Sequence, residues 1–166
     1  MDIRLAKKED IELLNLLFKE VIKDMNKNKI SMWNDIYPFC EFENDISNKN
    51  MYIIIDEGEV VGSFVLSDNY DPDFDNIMWK YNSEKWISIN RLAVLPQKQG
   101  QGYAKEAMKY IENNASLNKY ENIRLTVYEK NKNAIGLYEK FGFERVKNGK
   151  YFINDMMFIG YEKNIK

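Results

Sequence analysis

Apolar positions recur in two ways along this chain, and the switches between them mark its elements. Leu14, Leu17, Phe18, Val21, Ile22 and Met25 follow the spacing of one helical face, which predicts a helix from Glu9 to about Met25. Glu9, Asp10 and Glu12 put negative charge at the favourable end of its dipole. A shorter helix is expected within Pro38–Ser47. Tyr52–Asp56 and Val60–Leu66 are apolar, β-branched runs joined through Glu57-Gly58-Glu59, as in a hairpin. Periodicity then fails from Ser67 to Ser83, where Asn, Asp and Tyr dominate and a long loop is expected. A strand resumes over Trp86–Leu95 and is stopped by Pro96, which has no amide hydrogen for a ladder.

Helical spacing returns from Gly102 to about Leu117, with Ala104, Ala107, Met108, Ile111 and Ala115 on one face. Ile123, Leu125 and Val127 alternate with Arg124 and Thr126, the period of a strand. Asn133–Lys140 reads as a short helix ended by Gly142. Two last strands are expected, Phe143–Lys147 and about Tyr151–Tyr161, turning at Asn148-Gly149. The order is strand, two helices, three strands, helix, strand, helix, two strands. That is an α/β chain without repeat or linker, expected to form a single domain over residues 1–166.

Composition narrows the chemistry. The formal net charge of −2 gives no global field toward nucleic acid or an anionic membrane. Cys40 is the sole cysteine, so no disulfide can form within the chain. No window is apolar enough to span a bilayer and the N-terminal run has no signal-peptide core, so the expected compartment is the cytoplasm. The chain has no histidine, which excludes imidazole bases, His-based triads and His-ligated metals. Proton transfer falls to carboxylate, Tyr, Lys, Cys or water.

The segment richest in chemistry is Asn90-Arg91-Leu92-Ala93-Val94-Leu95-Pro96-Gln97-Lys98-Gln99-Gly100-Gln101-Gly102-Tyr103-Ala104, a strand, a polar turn with two glycines, and a helix start. The free N–H groups and positive dipole of a helix N-terminus suit phosphate, and glycines let backbone approach it closely. A P-loop would need Gly-Lys-Ser/Thr where Gly102-Tyr103-Ala104 stands. A dinucleotide fingerprint would need Gly or Ala at Lys105. Another phosphate-bearing cofactor is therefore expected.

This segment resembles the acetyl-CoA-binding motif of the GNAT family of N-acetyltransferases, [QR]-x-x-G-x-[GA]. Gln97–Gly102 and Gln99–Ala104 both match, and Pro96 selects the second register. The family pattern N-x-x-A-x-x-L-Y-x-x-x-G-F is filled at every fixed position by Asn131 to Phe143. The resemblance implies a mixed central sheet of about seven strands flanked by about four helices, splayed between the fourth and fifth strands. It implies acetyl-CoA as cosubstrate, with Leu92, Ala93 and Val94 along pantetheine and Gln99, Gly100, Gln101, Gly102, Tyr103, Ala104 and Lys105 around the phosphates. Asn131 would bind the cofactor and Tyr138 would protonate the departing thiolate. The implied reaction is direct acetyl transfer to a primary amine of a small molecule or peptide, without metal, nucleic acid or membrane. The alternative is a CoA-binding sensor or structural module of the same fold, and a homodimer stays open.

Trp86–Arg91 offers no carboxylate where relatives often carry an acid or histidine, since Asn90 cannot act as a base. Glu84 or a water chain could deprotonate the amine. Asp68, Asp71, Asp73 and Asp75, with Tyr70 and Phe74, form an acidic loop that could attract a cationic amine. Its spacing starts like a calcium loop, but Asn76 and Asn82 replace the required Gly and Glu. Trp33, Tyr37, Pro38 and Phe39 could form a wall of the acceptor site or simply core.

Overall fold

The computed structural model describes residues 1–165. Its elements are β1 (Asp2–Leu5), α1 (Ile11–Lys27), α2 (Phe42–Ser47), β2 (Met51–Asp56), β3 (Glu59–Ser67), β4 (Trp86–Val94), α3 (Tyr103–Leu117), β5 (Asn122–Tyr128), α4 (Lys132–Lys140), β6 (Glu144–Ile153) and β7 (Met156–Asn164). Seven strands hydrogen-bond in the order β1-β2-β3-β4-β5-β7-β6. The succession of elements is the one expected from periodicity. Two compact units share it: Met1–Leu66 with Arg91–Tyr110, and Ser67–Asn90 with the chain from Ile111 onward.

In the first unit, β1, β2 and β3 form an antiparallel meander. Glu57 and Gly58 both have left-handed φ, 49° and 83°, the geometry of a two-residue hairpin turn. The core is the apolar face of α1, Leu14, Leu17, Phe18 and Val21, clustered with Phe42 of α2 and Met51, Ile53 and Val65 of the strands. Phe18 sits 5.4 Å from Trp33 and 5.0 Å from Phe42, ring centre to ring centre. Trp33 is thus core, fixing how the chain enters α2. Gly62 lets β3 come close to β4, since a Cβ there would lie 2.8 Å from the Ala93 carbonyl oxygen.

In the second unit, β4 pairs in parallel with β5 over three residues, Trp86↔Asn122 to Ser88↔Arg124. β5 by contrast pairs with β7 along all seven of its residues. The short parallel ladder is the expected splay. Arg124 of β5 is buried, its guanidinium 4.8 Å from the Trp79 ring and 5.2 Å from the Trp86 ring, and it donates to the Tyr81 carbonyl. Glu162 of β7, also buried, accepts from the Lys80 amide. The two hold the 79–81 segment in place.

One turn differs from expectation. The β6–β7 hairpin turns at Asn154-Asp155, both left-handed at φ 46° and 63°, instead of at Asn148-Gly149. The latter pair lies inside β6, where the register shifts between Arg145 and Lys150. The glycine is there for crowding: a Cβ on Gly149 would meet Val146 Cβ at 2.7 Å and Ile77 Cγ2 at 2.9 Å.

Candidate active site

The polar turn after β4 is built by local bonds. Lys98 N–H donates to the Leu95 carbonyl, and the Gln99 side-chain amide reaches back 3.2 Å to the Val94 carbonyl. Gln101 does the same to Gln97 at 3.0 Å. Gly100 and Gly102 take φ of 76° and 96°, values that cost a non-glycine residue roughly 1–2 kcal/mol in the left-handed region. A Cβ at either would meet nothing within 4 Å. The backbone there is open as well as bent. The first bond of α3 runs from Glu106 N–H to the Gly102 carbonyl at 3.0 Å, so the amides of Tyr103, Ala104 and Lys105 lie at its free end. Gln99, Gly100, Gln101, Gly102 and Lys105 are exposed. Open glycines beside the free N–H groups of a helix N-terminus suit a phosphate group.

Tyr103 is turned to another task. Its hydroxyl donates to Asp56 Oδ2 at 2.6 Å, tying the turn to the end of β2. That bond holds the Asp56 carboxyl below the usual carboxylate range and raises the Tyr103 phenol. Lys98 pairs with Glu59 at 3.0 Å in the same corner.

Just upstream, β4 bulges. Arg91 has φ +51°, left-handed inside a strand, and Asn90, Arg91 and Leu92 are half-buried in succession, so the two-residue alternation is lost. One guanidinium nitrogen of Arg91 bridges both Asp45 oxygens, at 2.7 and 2.5 Å, and another donates to the Tyr37 hydroxyl at 3.1 Å. Burial raises the Asp45 carboxyl against the pull of Arg91. The partners lie 46 residues apart, and no spacing in the sequence announces them. Tyr37 therefore supports the bulge, while Phe39 packs 5.6 Å from Phe42.

In the second unit, Asn131 is the N-cap of α4, its side-chain oxygen accepting from Ala134 N–H at 3.2 Å. Tyr138 is 7 % exposed, with its ring 5.8 Å from Phe143. Burial pushes its phenol well above the ordinary tyrosine range. No hydrogen bond to its hydroxyl is found among the described residues, so its proton is uncommitted.

Glu84 is exposed in a bend two residues before β4 begins. The acidic loop is largely occupied with itself. Asp71 caps a short turn through Asp73 N–H, Asp75 accepts from Tyr70, and Asp68 accepts from Tyr120 at 2.8 Å. Phe74 is buried, 5.0 Å from Trp79. No group of three potential metal ligands is found among the described residues. A groove of about 740 Å³ runs along α1 between Lys19, Ile22, Lys23 and Phe39, and it contains none of the motif residues.

The family model of the acetyltransferase (GNAT) family matches residues 18–143. A spermine/spermidine N(1)-acetyltransferase of Bacillus subtilis is 34% identical over 91 residues, 53% of this chain and 55% of that protein. The chain thus spans about half the length of the curated relatives it matches. Among solved structures, a GNAT-family acetyltransferase of Streptococcus agalactiae superposes with a TM-score of 0.84 at 23% identity, over 98% of this chain and 94% of that one. One from Listeria monocytogenes superposes at 0.78 with 18% identity, over 98% and 94%.

Proposed function

Because the chain belongs to the acetyltransferase (GNAT) family, we propose that it moves an acetyl group from acetyl-CoA to a primary amine, with polyamines as the acceptor class. The observation that carries this reading is the open glycine turn at the N-terminus of α3. Acetyl-CoA supplies the acyl group as an activated thioester. The Gly100–Lys105 backbone holds the pyrophosphate, and the Leu92–Val94 backbone carries the pantetheine arm and donates an N–H to the acyl oxygen. Asn131 adds a contact to the cofactor while its oxygen caps α4. The amine nitrogen bonds the acyl carbon as the carbon–sulfur bond breaks. Its surplus proton leaves through water, since β4 has no carboxylate. Tyr138 gives its proton to the sulfur and regains one from solvent. Burial suits it to this, because the phenol stays protonated throughout the neutral range.

The polyamine class draws on the Bacillus subtilis relatives. The reaction is placed in the cytoplasm and needs no metal.

Thermal unfolding with and without millimolar acetyl-CoA tests the reading. A ligand at about 100 times its Kd adds roughly 2.7 kcal/mol, a clear upward shift of the midpoint. No shift in ligand-free protein would overturn both the enzyme and a CoA-sensing module. Tyr138→Phe separates these two. In the enzyme it lowers kcat about a hundred- to ten-thousand-fold and leaves acetyl-CoA affinity unchanged.

A further inference from the structure

A groove of the first unit takes no part in the acetyl-transfer reading. Its volume is about 740 Å³, within the usual range of a ligand pocket, and it is lined only by residues between Asn15 and Phe39. Ile22 and Phe39 lie along it, both half-buried against the core of the unit. Lys19, Lys23 and Lys27 follow at about one helical turn each, which strings three ammonium groups over about 12 Å of α1 at roughly 1.5 Å per residue. Lysine stems are apolar and leave the charge at the rim. All three are exposed, and none forms an ion pair among the described residues, although Glu20 and Asp24 share the helix. Lys80, Lys98, Lys109 and Lys163, by contrast, are each paired with a glutamate. In the loop before α2, the Asn34 carbonyl oxygen accepts from Ile36 N–H at 2.8 Å and Tyr37 N–H at 2.9 Å. Its NH2 therefore points away from that turn and has no acceptor among the described residues. Asp35 is the one carboxylate in the described lining, so the groove is cationic on a chain of net charge −2.

We propose that this groove docks an extended acidic segment of a partner protein, with carboxylates at alternate positions on the lysines and the apolar side chains between them on Ile22 and Phe39. The spacings agree. Alternate side chains of an extended chain lie roughly 6.6 Å apart on one face, and successive turns of α1 set the lysines about 6 Å apart. The Asn34 amide offers a carboxylate one more donor. An anion with a single head group would engage one lysine of the three, and a polyphosphate would leave Ile22 and Phe39 unused. A flat anionic bilayer would not reach the floor of a groove. Apolar side chains in the groove carry the affinity, and the rim charges select the sign of the partner and speed its approach. Asp35 opposes such a ligand, so its removal strengthens binding, where it would weaken the hold on a cation.

The test is calorimetry of the full chain with the end-capped peptide Glu-Leu-Glu-Leu-Glu, which binds saturably, one peptide per chain. Replacing its leucines by glycine weakens binding about tenfold or more. Lys19→Gln, Lys23→Gln and Lys27→Gln together do the same, each exposed charge pair being worth about a few-fold. Glutamine keeps the helix propensity of lysine, so the unfolding midpoint of that variant moves by less than about 2 °C. Asp35→Asn strengthens binding about twofold, and raising the salt from about 0.05 to 0.3 M weakens it several-fold. No saturable binding, equal binding of a peptide with lysine in place of glutamate, or indifference to the triple substitution overturns the proposal. So does inorganic triphosphate binding as tightly as the peptide, since the apolar floor would then play no part. Capture of the chain by vesicles of phosphatidylglycerol and phosphatidylcholine through the same lysines overturns it as well. Self-association of the chain that the triple substitution abolishes would likewise give the groove another occupant.

Discussion

Two glycine-bearing segments of this chain look alike on paper and do opposite things. Gly100 and Gly102, after β4, sit at positive φ in open space. Gly149 and Gly160, on β6 and β7, have no such φ and are hemmed in: a Cβ on either would come within 2.9 Å of Ile77 Cγ2. The first pair is glycine because the backbone bends there, in a place left open for something to approach it. The second is glycine because something inside the protein already has. A glycine therefore announces a close approach without saying whether the visitor is a ligand or a neighbouring side chain.

Substitutions can separate the two cases. The largest effect on stability is expected for Gly149→Ala, where overpacking against Val146 and Ile77 costs about 1–3 kcal/mol and lowers the unfolding midpoint by several degrees, with the KM of acetyl-CoA unchanged. A rise in that KM would break the contrast. Gly102→Ala should show the reverse balance. Its φ of 96° adds about 1–2 kcal/mol of strain, and acetyl-CoA affinity falls about tenfold or more because the bent backbone no longer meets the pyrophosphate. Calorimetry with acetyl-CoA measures this directly.

Tyr103→Phe should sharpen the picture at the open turn with a smaller effect, moving acetyl-CoA affinity less than about threefold, since the hydroxyl faces Asp56 and only the amide faces the turn. It also has a pH signature. Asp56 is held below its ordinary value by that hydroxyl, so the bond favours the folded state above roughly pH 4. The gap in midpoint between wild type and Tyr103→Phe closes as the pH falls through the depressed value of Asp56. Smallest of all is Asn154→Gly. It relieves a left-handed asparagine at the true hairpin turn and changes the midpoint by no more than about 1 °C, as asparagine already tolerates that conformation.

The helices and strands were legible because their signals are local. One stripe of apolar residues sufficed for α1 and α3, and strict alternation for β5. The turn between β6 and β7 was misplaced because Asn-Gly is the pair that a two-residue hairpin favours, and the crowding of Gly149 by Ile77 comes from a residue 72 positions away. The glycine turn, Asn131 and Tyr138 were legible as expectations, through ordered motifs. The partners that hold the site were not. Asp56 beneath Tyr103 and Asp45 against Arg91 are chosen by the fold, each from another element.

Arg91 shows how much such a partner demands of one position. Its backbone asks for a residue that accepts φ +51°, and its side chain must reach Asp45 and Tyr37 from inside a bulge. Glycine would meet the first demand and fail the second, whereas most long side chains would reach outward and resist the turn. Asp45 is equally bound, because a buried carboxylate without its arginine is costly. Replacing either residue alone leaves the other buried without its ion-pair partner. One ion pair thus anchors the short helix α2 to the bend in β4.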